Sequence, residues 1–237
     1  MMRRLFRSFE RAGLEYLLIS GQASILYGAA TFSEDVDLWI RPTLPNAGRL
    51  RAALASCGAR VHKLTPPLTL EHMRRGHGFH FKIPDRPAPV YLDVMAVPPR
   101  VGAFGPAFRR SVRMPTPWGR IPVVSIEDLI ALKRTRRLAD YEVISNLVSV
   151  KLASVAGPSE ALLRWASANT FRPEDLVSYE ARRGRTLALD AARKLTLRRL
   201  QAFQAADTAY WRRIVGELRR LRREGRLWPE RAPVRPA

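Results

Sequence analysis

The stretch SGQASILYGAATFSEDVDLWI, Ser20 to Ile40, limits the possible folds of this chain more than any other. The short apolar run EYLLIS leads into it and has the length and composition of a buried strand. GQASILYGA then returns to helical spacing, with Ala23, Ile25, Leu26 and Ala30 apolar. DVDLWI reads as the next strand, stopped by Pro42 and Pro45. Alternate residues of a strand face the same side, so Asp35 and Asp37 point together while Val36 and Leu38 enter the core.

Two carboxylates so close repel, and each raises the cost of ionising the other. A chain tolerates the arrangement when a cation lies between them. Oxygen-only ligands suit Mg²⁺ or Mn²⁺ better than zinc. VYLDVMAV supplies a third acid, Asp93, in the middle of an apolar strand. An unpaired carboxylate buried there would be costly. Placed beside the strand of Asp35 and Asp37, it completes a metal-binding set. An Asp-x-Asp alone is as well explained by a solvated strand end, so the weight rests on the three acids together.

ISGQA lies between the first strand and the helix. A tight turn there exposes backbone N–H groups to an anion. Ser20 adds a hydroxyl, and Gly21 permits close approach. Further on, EDLIALKRTRRLADY spaces Lys133, Arg136, Arg137 and Asp140 by one helical turn or less. Lys133, Arg137 and Asp140 are expected on one helix face, where the lysine can neutralise a phosphate. The alternative is a solvated basic face with an Arg137–Asp140 ion pair of little energetic weight.

Lys and Arg number 41 against 21 Asp and Glu, a formal net charge of +20. A polyanion such as RNA, DNA or a nucleoside triphosphate is the partner this charge implies, although arginine richness also follows from a GC-rich genome. With one cysteine, Cys57, no intramolecular disulfide can form. Arg7, Glu10, Arg11 and Glu15 interrupt the N-terminal apolar residues, so no signal peptide is read. No segment reaches the roughly 18 uninterrupted apolar residues of a membrane span. The expected location is cytoplasmic.

The organisation expected is α+β for residues 1–124, helical for 125–228 and a disordered tail at 229–237. A first helix runs from Arg3 to Ala12 and Gly13 ends it. FHFKI and VYLDVMAV form a hairpin through the loop PDRPAP. From Ser125 to Gly157 the pattern is one long helical segment. Near the end, Trp211, Ile214, Leu218 and Leu221 form an apolar stripe, with arginines on the other faces. Such a face suits salt-sensitive RNA binding, or docking on an acidic protein. His72, His77 and His80 are read as packing or surface residues, because no second cluster completes a metal site.

This succession of strand, Gly-containing turn, helix, TFSEDVDL and a lone strand aspartate resembles the DNA polymerase β-type nucleotidyltransferase superfamily. TFSEDVDL is most similar to the Arg-Phe-Ser-Glu-Asp-hydrophobic-Asp stretch of the AbiEii-type nucleotidyltransferases, toxin components of bacterial toxin–antitoxin systems. The likeness runs roughly from Leu14 to Leu147. It implies a polymerase β-like domain, a small mixed sheet flanked by helices, followed by a helical C-terminal region. It further implies a metal-dependent transfer of an NMP from an NTP to an acceptor hydroxyl and, for a toxin, an acidic antitoxin as partner; the net charge of +20 favours RNA, such as a tRNA 3′ end, as the acceptor.

In that reading Asp35, Asp37 and Asp93 are catalytic and hold Mg²⁺ or Mn²⁺. Ser20 and Gly21 cradle the triphosphate, and Lys133 and Arg137 bind it. Two positions depart from the family. The turn is Ser20-Gly21-Gln22 rather than Gly-Gly or Gly-Ser, and Thr31 stands at the family's arginine. A catalytically degenerate fold that binds RNA or a partner, and an enzyme that nucleotidylates protein, are the alternatives.

Overall fold

The structure is a computed structural model and describes residues 1–236. Two compact units divide the chain. The first comprises Met1–Ala23, Phe32–Ser125 and the chain from Arg212 onward. The second comprises Ser24–Thr31 and Ile126–Trp211. The division expected after residue 124 thus lies beside the break at Ser125, but each unit also takes in a segment remote in sequence.

The first unit carries α1 (Met2–Arg11), β1 (Tyr16–Ile19), α2 (Ser20–Leu26, which begins here and ends in the second unit), β2 (Asp35–Ile40) and α3 (Leu44–Ser56). It continues with β3 (Arg60–Val61), α4 (Leu70–Arg74), β4 (Gly78–Ile83), β5 (Val90–Met95), α5 (Phe104–Arg110), β6 (Val112–Thr116) and β7 (Gly119–Val123). The second unit holds α6 (Ile126–Lys133), α7 (Leu138–Ala153), α8 (Glu160–Asn169), α9 (Pro173–Arg182) and most of α10 (Leu189–Arg223). The class is α+β. Among the described residues no helix is long and apolar enough to cross a membrane.

Seven strands form one mixed sheet in the order β3-β4-β5-β2-β1-β7-β6. β2 pairs with β5, and β1 with β7, in parallel; the remaining pairs are antiparallel. The period-two pattern divides the central sheet into unlike faces. Leu18, Val36, Leu38, Phe79, Phe81, Leu92 and Val94 lie on one face and are buried. α1 helps cover this face with Leu5, Phe6 and Phe9. Phe9 packs on Tyr16 at 5.4 Å between ring centroids, and Phe6 stacks on Trp118 at 5.4 Å. The other face carries Asp35, Asp37 and Asp93; on it Leu17 and Ile19 of β1 are buried, as is Trp39, which packs edge to face on Phe104 of α5.

The ends of β1 and β2 are held by one buried amide. Asn46, wholly buried on α3, accepts from Glu15 N–H at 2.9 Å through Oδ1. Its Nδ2 donates to the carbonyls of Glu15 at 2.9 Å and Arg41 at 3.2 Å. α3 starts at Thr43, whose hydroxyl accepts from the Asn46 N–H, and Pro45 sits in its first turn, where no donor is lost.

The long helix expected from Ser125 is two helices, α6 and α7, broken at residues 134–137. Hydrogen bonds to side chains compete with the helix there. Asp140 accepts from Lys133 Nζ at 2.8 Å and from Thr135 Oγ1 at 2.5 Å, while Asp207 of α10 accepts from the Arg136 N–H at 3.0 Å. Lys133 is therefore the last residue of α6 and Arg137 the N-cap of α7, not neighbours on one helix face.

The tail expected to be disordered is ordered over residues 229–236; Ala237 lies outside the described residues. β3 is a sheet edge with unpaired backbone groups. The returning chain pairs with it: Val61 N–H donates to Ala232 O, Arg231 N–H to Val61 O and Val234 N–H to Ala59 O, each at 2.9 Å. Val234 is buried by this contact.

The last turns of α10 are tied to the same unit by His77, which is fully buried. Its Nε2 lies 2.9 Å from Glu217 Oε2, so the neutral ring protonated on Nε2 donates to the carboxylate. Burial holds the His77 imidazole below its ordinary range, against the opposing hydrogen bond and charge of Glu217.

Two stability outcomes follow. Asn46→Ala leaves the Glu15 N–H without its partner, while the Glu15 and Arg41 carbonyls keep the N–H groups of Arg41 and Thr43; it is expected to lower the unfolding free energy by about 1–3 kcal/mol, read as a shifted urea midpoint at constant m. A change below a tenth of that size would refute the bracing role. For His77 the folded pKa lies below the free value of 6.5, so its neutral form stabilises the fold above that pH. That stability is lost as pH falls from 6.5 through the folded value. His77→Gln is expected to flatten this limb in urea titrations across the acid range; an unchanged slope would contradict it.

Candidate active site

β2 and β5 run in parallel with Asp37 opposite Asp93 and Asp35 opposite Tyr91. Residues in register share a face, so all three aspartates project from the same side of the sheet. Each is partly exposed, whereas Val36, Leu38, Leu92 and Val94 between them are buried. Parity in the strand therefore delivers what the alternation of DVDL and LDV demands.

The small-residue turn is brought to the head of β2 by close packing. Ser20 opens α2 with φ 59°, a left-handed conformation. Gly21 lies against Ser33: a Cβ on Gly21 would stand 2.2 Å from Ser33 Oγ and 2.7 Å from Ser33 Cβ. Ser33 Oγ donates to the Asp35 carbonyl at 3.2 Å, and Gln22 Nε2 donates to the Ser33 carbonyl at 3.3 Å. The serine of TFSEDVDL thus locks the turn to the strand that bears the paired acids.

Asp93 has a partner that the residue pattern did not single out. His80 of β4 is its register partner, and His80 Nδ1 lies 2.8 Å from Asp93 Oδ1. Burial pushes the Asp93 carboxyl up, but the hydrogen bond from His80 and the positive charges of His80, Lys63 and His62 outweigh it. The carboxyl is held below its ordinary range. The signal was present in the sequence: FHFKI and VYLDV, folded back through PDRPAP, place the one histidine of the first run opposite the one aspartate of the second. His72 and His77, by contrast, are packing residues as expected, with His72 Nδ1 2.8 Å from Pro67 O.

The donor chemistry and the shared face fit a divalent cation, since all three acids offer oxygen. The side chains are not drawn into one cluster. Among the described residues no group of three or more His, Cys, Asp or Glu is arranged to hold an ion. Asp93 instead directs one oxygen to His80.

Lys133 and Arg137 belong to the second unit. Lys133 is buried with its ammonium on Asp140, and Arg137 is exposed; the expected Arg137–Asp140 alternative gives way to Lys133–Asp140.

No family model matches the chain, and no curated protein matches it. Five chains of known structure do. One is the crystal structure of a proposed nucleotidyltransferase from H. pylori, with a TM-score of 0.43 and 14% identity over 88% of this chain and 95% of that one. A likeness of that degree assigns no role to any residue.

The Gly21–Ser33 contact gives a sharp test. Gly21→Ala is expected to cost about 1–3 kcal/mol through overpacking, because rotating the Ser33 hydroxyl away still leaves its Cβ too close. Ser33→Gly in the same chain should recover part of the loss and Ser33→Ala should not. Equal rescue by both, in a thermal melt, would show that the contact does not constrain the turn.

Proposed function

We propose that the chain is a metal-dependent nucleotidyltransferase that moves an NMP from an NTP to an acceptor hydroxyl, with RNA, such as a tRNA end, as the acceptor. The observation that carries this reading is the in-register placement of Asp37 and Asp93 on parallel strands, with Asp35 on the same face. Three partly exposed acids project from one sheet face of a chain with net charge +20. The likeness of TFSEDVDL to AbiEii-type enzymes supports the reaction type.

Asp35, Asp37 and Asp93 would hold Mg²⁺ or Mn²⁺. When bound, the ion neutralises charge on the attacking and leaving oxygens of the transfer. Asp93, oriented by His80, orients the acceptor hydroxyl and receives its proton as that oxygen bonds to the α-phosphorus and the bond to pyrophosphate breaks. Ser20 and Gly21 bind the triphosphate through the hydroxyl and backbone N–H groups at the head of α2. Nucleotide binding by Lys133 and Arg137 is a separate part of the proposal, carried by the second unit alone. Positioning and fixed charge supply most of the rate.

A toxin role, with an acidic antitoxin as partner, rests on the likeness alone. It requires that induced expression halt growth and that Asp35→Ala relieve the arrest. A second reading has its own observation: the acids are not clustered, and Asp93 is engaged by His80. A binding module that has lost catalysis would look the same.

The deciding experiment incubates the protein with each NTP labelled at the α-phosphate, Mg²⁺ and total tRNA. Label is expected on RNA, to fall at least about a hundredfold in Asp35→Ala or Asp37→Ala, and to vanish with chelator. Label on protein instead would make it a protein-nucleotidylating enzyme. No label with any NTP, together with unaltered RNA binding in Asp37→Ala, would leave the binding module.

A further inference from the structure

The face that bears the acids does not end at β5. Strand register extends it toward the β3 edge in two rows. Asp35, Tyr91, Lys82 and Arg60 form one row; Asp37, Asp93 and His80 form the other, which His62 continues through its N–H to the His80 carbonyl at 2.8 Å. With strands about 4.8 Å apart, the rows cover roughly 14 Å from β2 to β3. The residues between them, Val61, Phe79, Phe81, Leu92 and Val94, go to the buried face. The strip is thus an open sheet surface backed by a packed core.

Its chemistry changes along its length. Next to the carboxylates stand two rings: His62 and Tyr91 lie 4.9 Å apart at 40°. Burial and Lys63 hold the His62 imidazole below its ordinary range. Lys82 Nζ sits 5.7 Å over the Tyr91 ring. Beyond the rings, the returning C-terminal chain and the edge strand enclose a cavity of about 310 Å³. Arg60, Lys82 and Arg231 bring three cations to its wall, against the single acid Glu230.

Rings on an open sheet with cations beyond them are what a single strand of nucleic acid requires. Any base has a face to stack, and phosphates follow at the spacing of the backbone. The basic faces of α10 offer charge, but their ring pair, Tyr210 and Trp211, is set edge to face at 89°. We propose that this strip is the acceptor subsite: the end of a single-stranded polynucleotide lays its terminal base on the His62–Tyr91 rings and its phosphates in the Arg60–Lys82–Arg231 cavity. The terminal hydroxyl then faces Asp93. This rests on the transferase reading of the same carboxylates for what happens to that hydroxyl, but the binding itself needs neither metal nor nucleotide.

The test is fluorescence anisotropy with a labelled single-stranded RNA, the same sequence as DNA, and a duplex, in chelator and without NTP. Arg60→Glu with Lys82→Glu is expected to weaken single-strand binding about tenfold or more and to reduce the salt slope by about 0.7 for each phosphate that is no longer neutralised. Tyr91→Ala should weaken it about fivefold or more, while Tyr91→Phe retains it.

Tighter binding of RNA or of DNA names the acceptor strand. Equal weakening by Arg222→Glu with Arg223→Glu on α10 would overturn the subsite, because binding would then follow total charge. So would an unchanged affinity in Tyr91→Ala, or duplex binding as tight as single-strand binding. The two proposals fail separately. Label transfer whose acceptor KM ignores the cavity variants removes the subsite and keeps the transferase. Intact binding without any label transfer removes the transferase and keeps the subsite.

Discussion

The parallel pairing of β2 with β5 is the constraint on which the rest depends. It sets Val36 beside Leu92 and Leu38 beside Val94, burying all four, and the same register sets Asp37 beside Asp93. A slip by one residue would turn the acids into the core and the aliphatic residues outward. The hydrophobic burial that stabilises the sheet therefore also enforces the juxtaposition of like charges. Their repulsion opposes folding, and it is tolerated because the acids are partly exposed to water, with His80 hydrogen-bonded to Asp93 and the charge of Lys63 acting on it.

The edges of the sheet explain much of the remainder. β3 is only two residues long and would expose its backbone, but the chain after α10 returns to pair with it. That return makes one wall of the basic cavity and places Arg231 there. The first unit is consequently assembled from both ends of the chain, and its sheet-bound tail is as structural as any loop between strands.

A chain with so few acids uses several of them as anchors for cations or N–H groups. Asp140 gathers Lys133 and Thr135, Asp207 receives Arg136, and Glu217 receives His77 and Arg213. Asp207 is wholly buried and Asp140 partly so. An unpartnered carboxylate at such depth would be strongly unfavourable, so each of these contacts fixes local geometry more firmly than an exposed ion pair could. The break between α6 and α7 is one consequence.

The alternation of apolar and polar residues located β2 and the β4–β5 hairpin, because burial on one face writes a period of two into the sequence; β1, buried throughout, was marked by a continuous apolar run, and the helices by their own spacing. It also placed Asp35 and Asp37 on one side, since parity along a strand is local. It was silent on three matters. That β5 lies beside β2 in parallel, with Asp93 level with Asp37, is a contact between strands separated by β3 and β4, and no local pattern encodes it. The split of the long helical segment depends on Asp207, far along the chain. The order of the tail depends on a sheet edge that exists only once the sheet has formed. Local periodicity determined the elements and the side on which each acid lies; tertiary pairing decided which acids, rings and cations meet, because only folding sets the register of one strand against another.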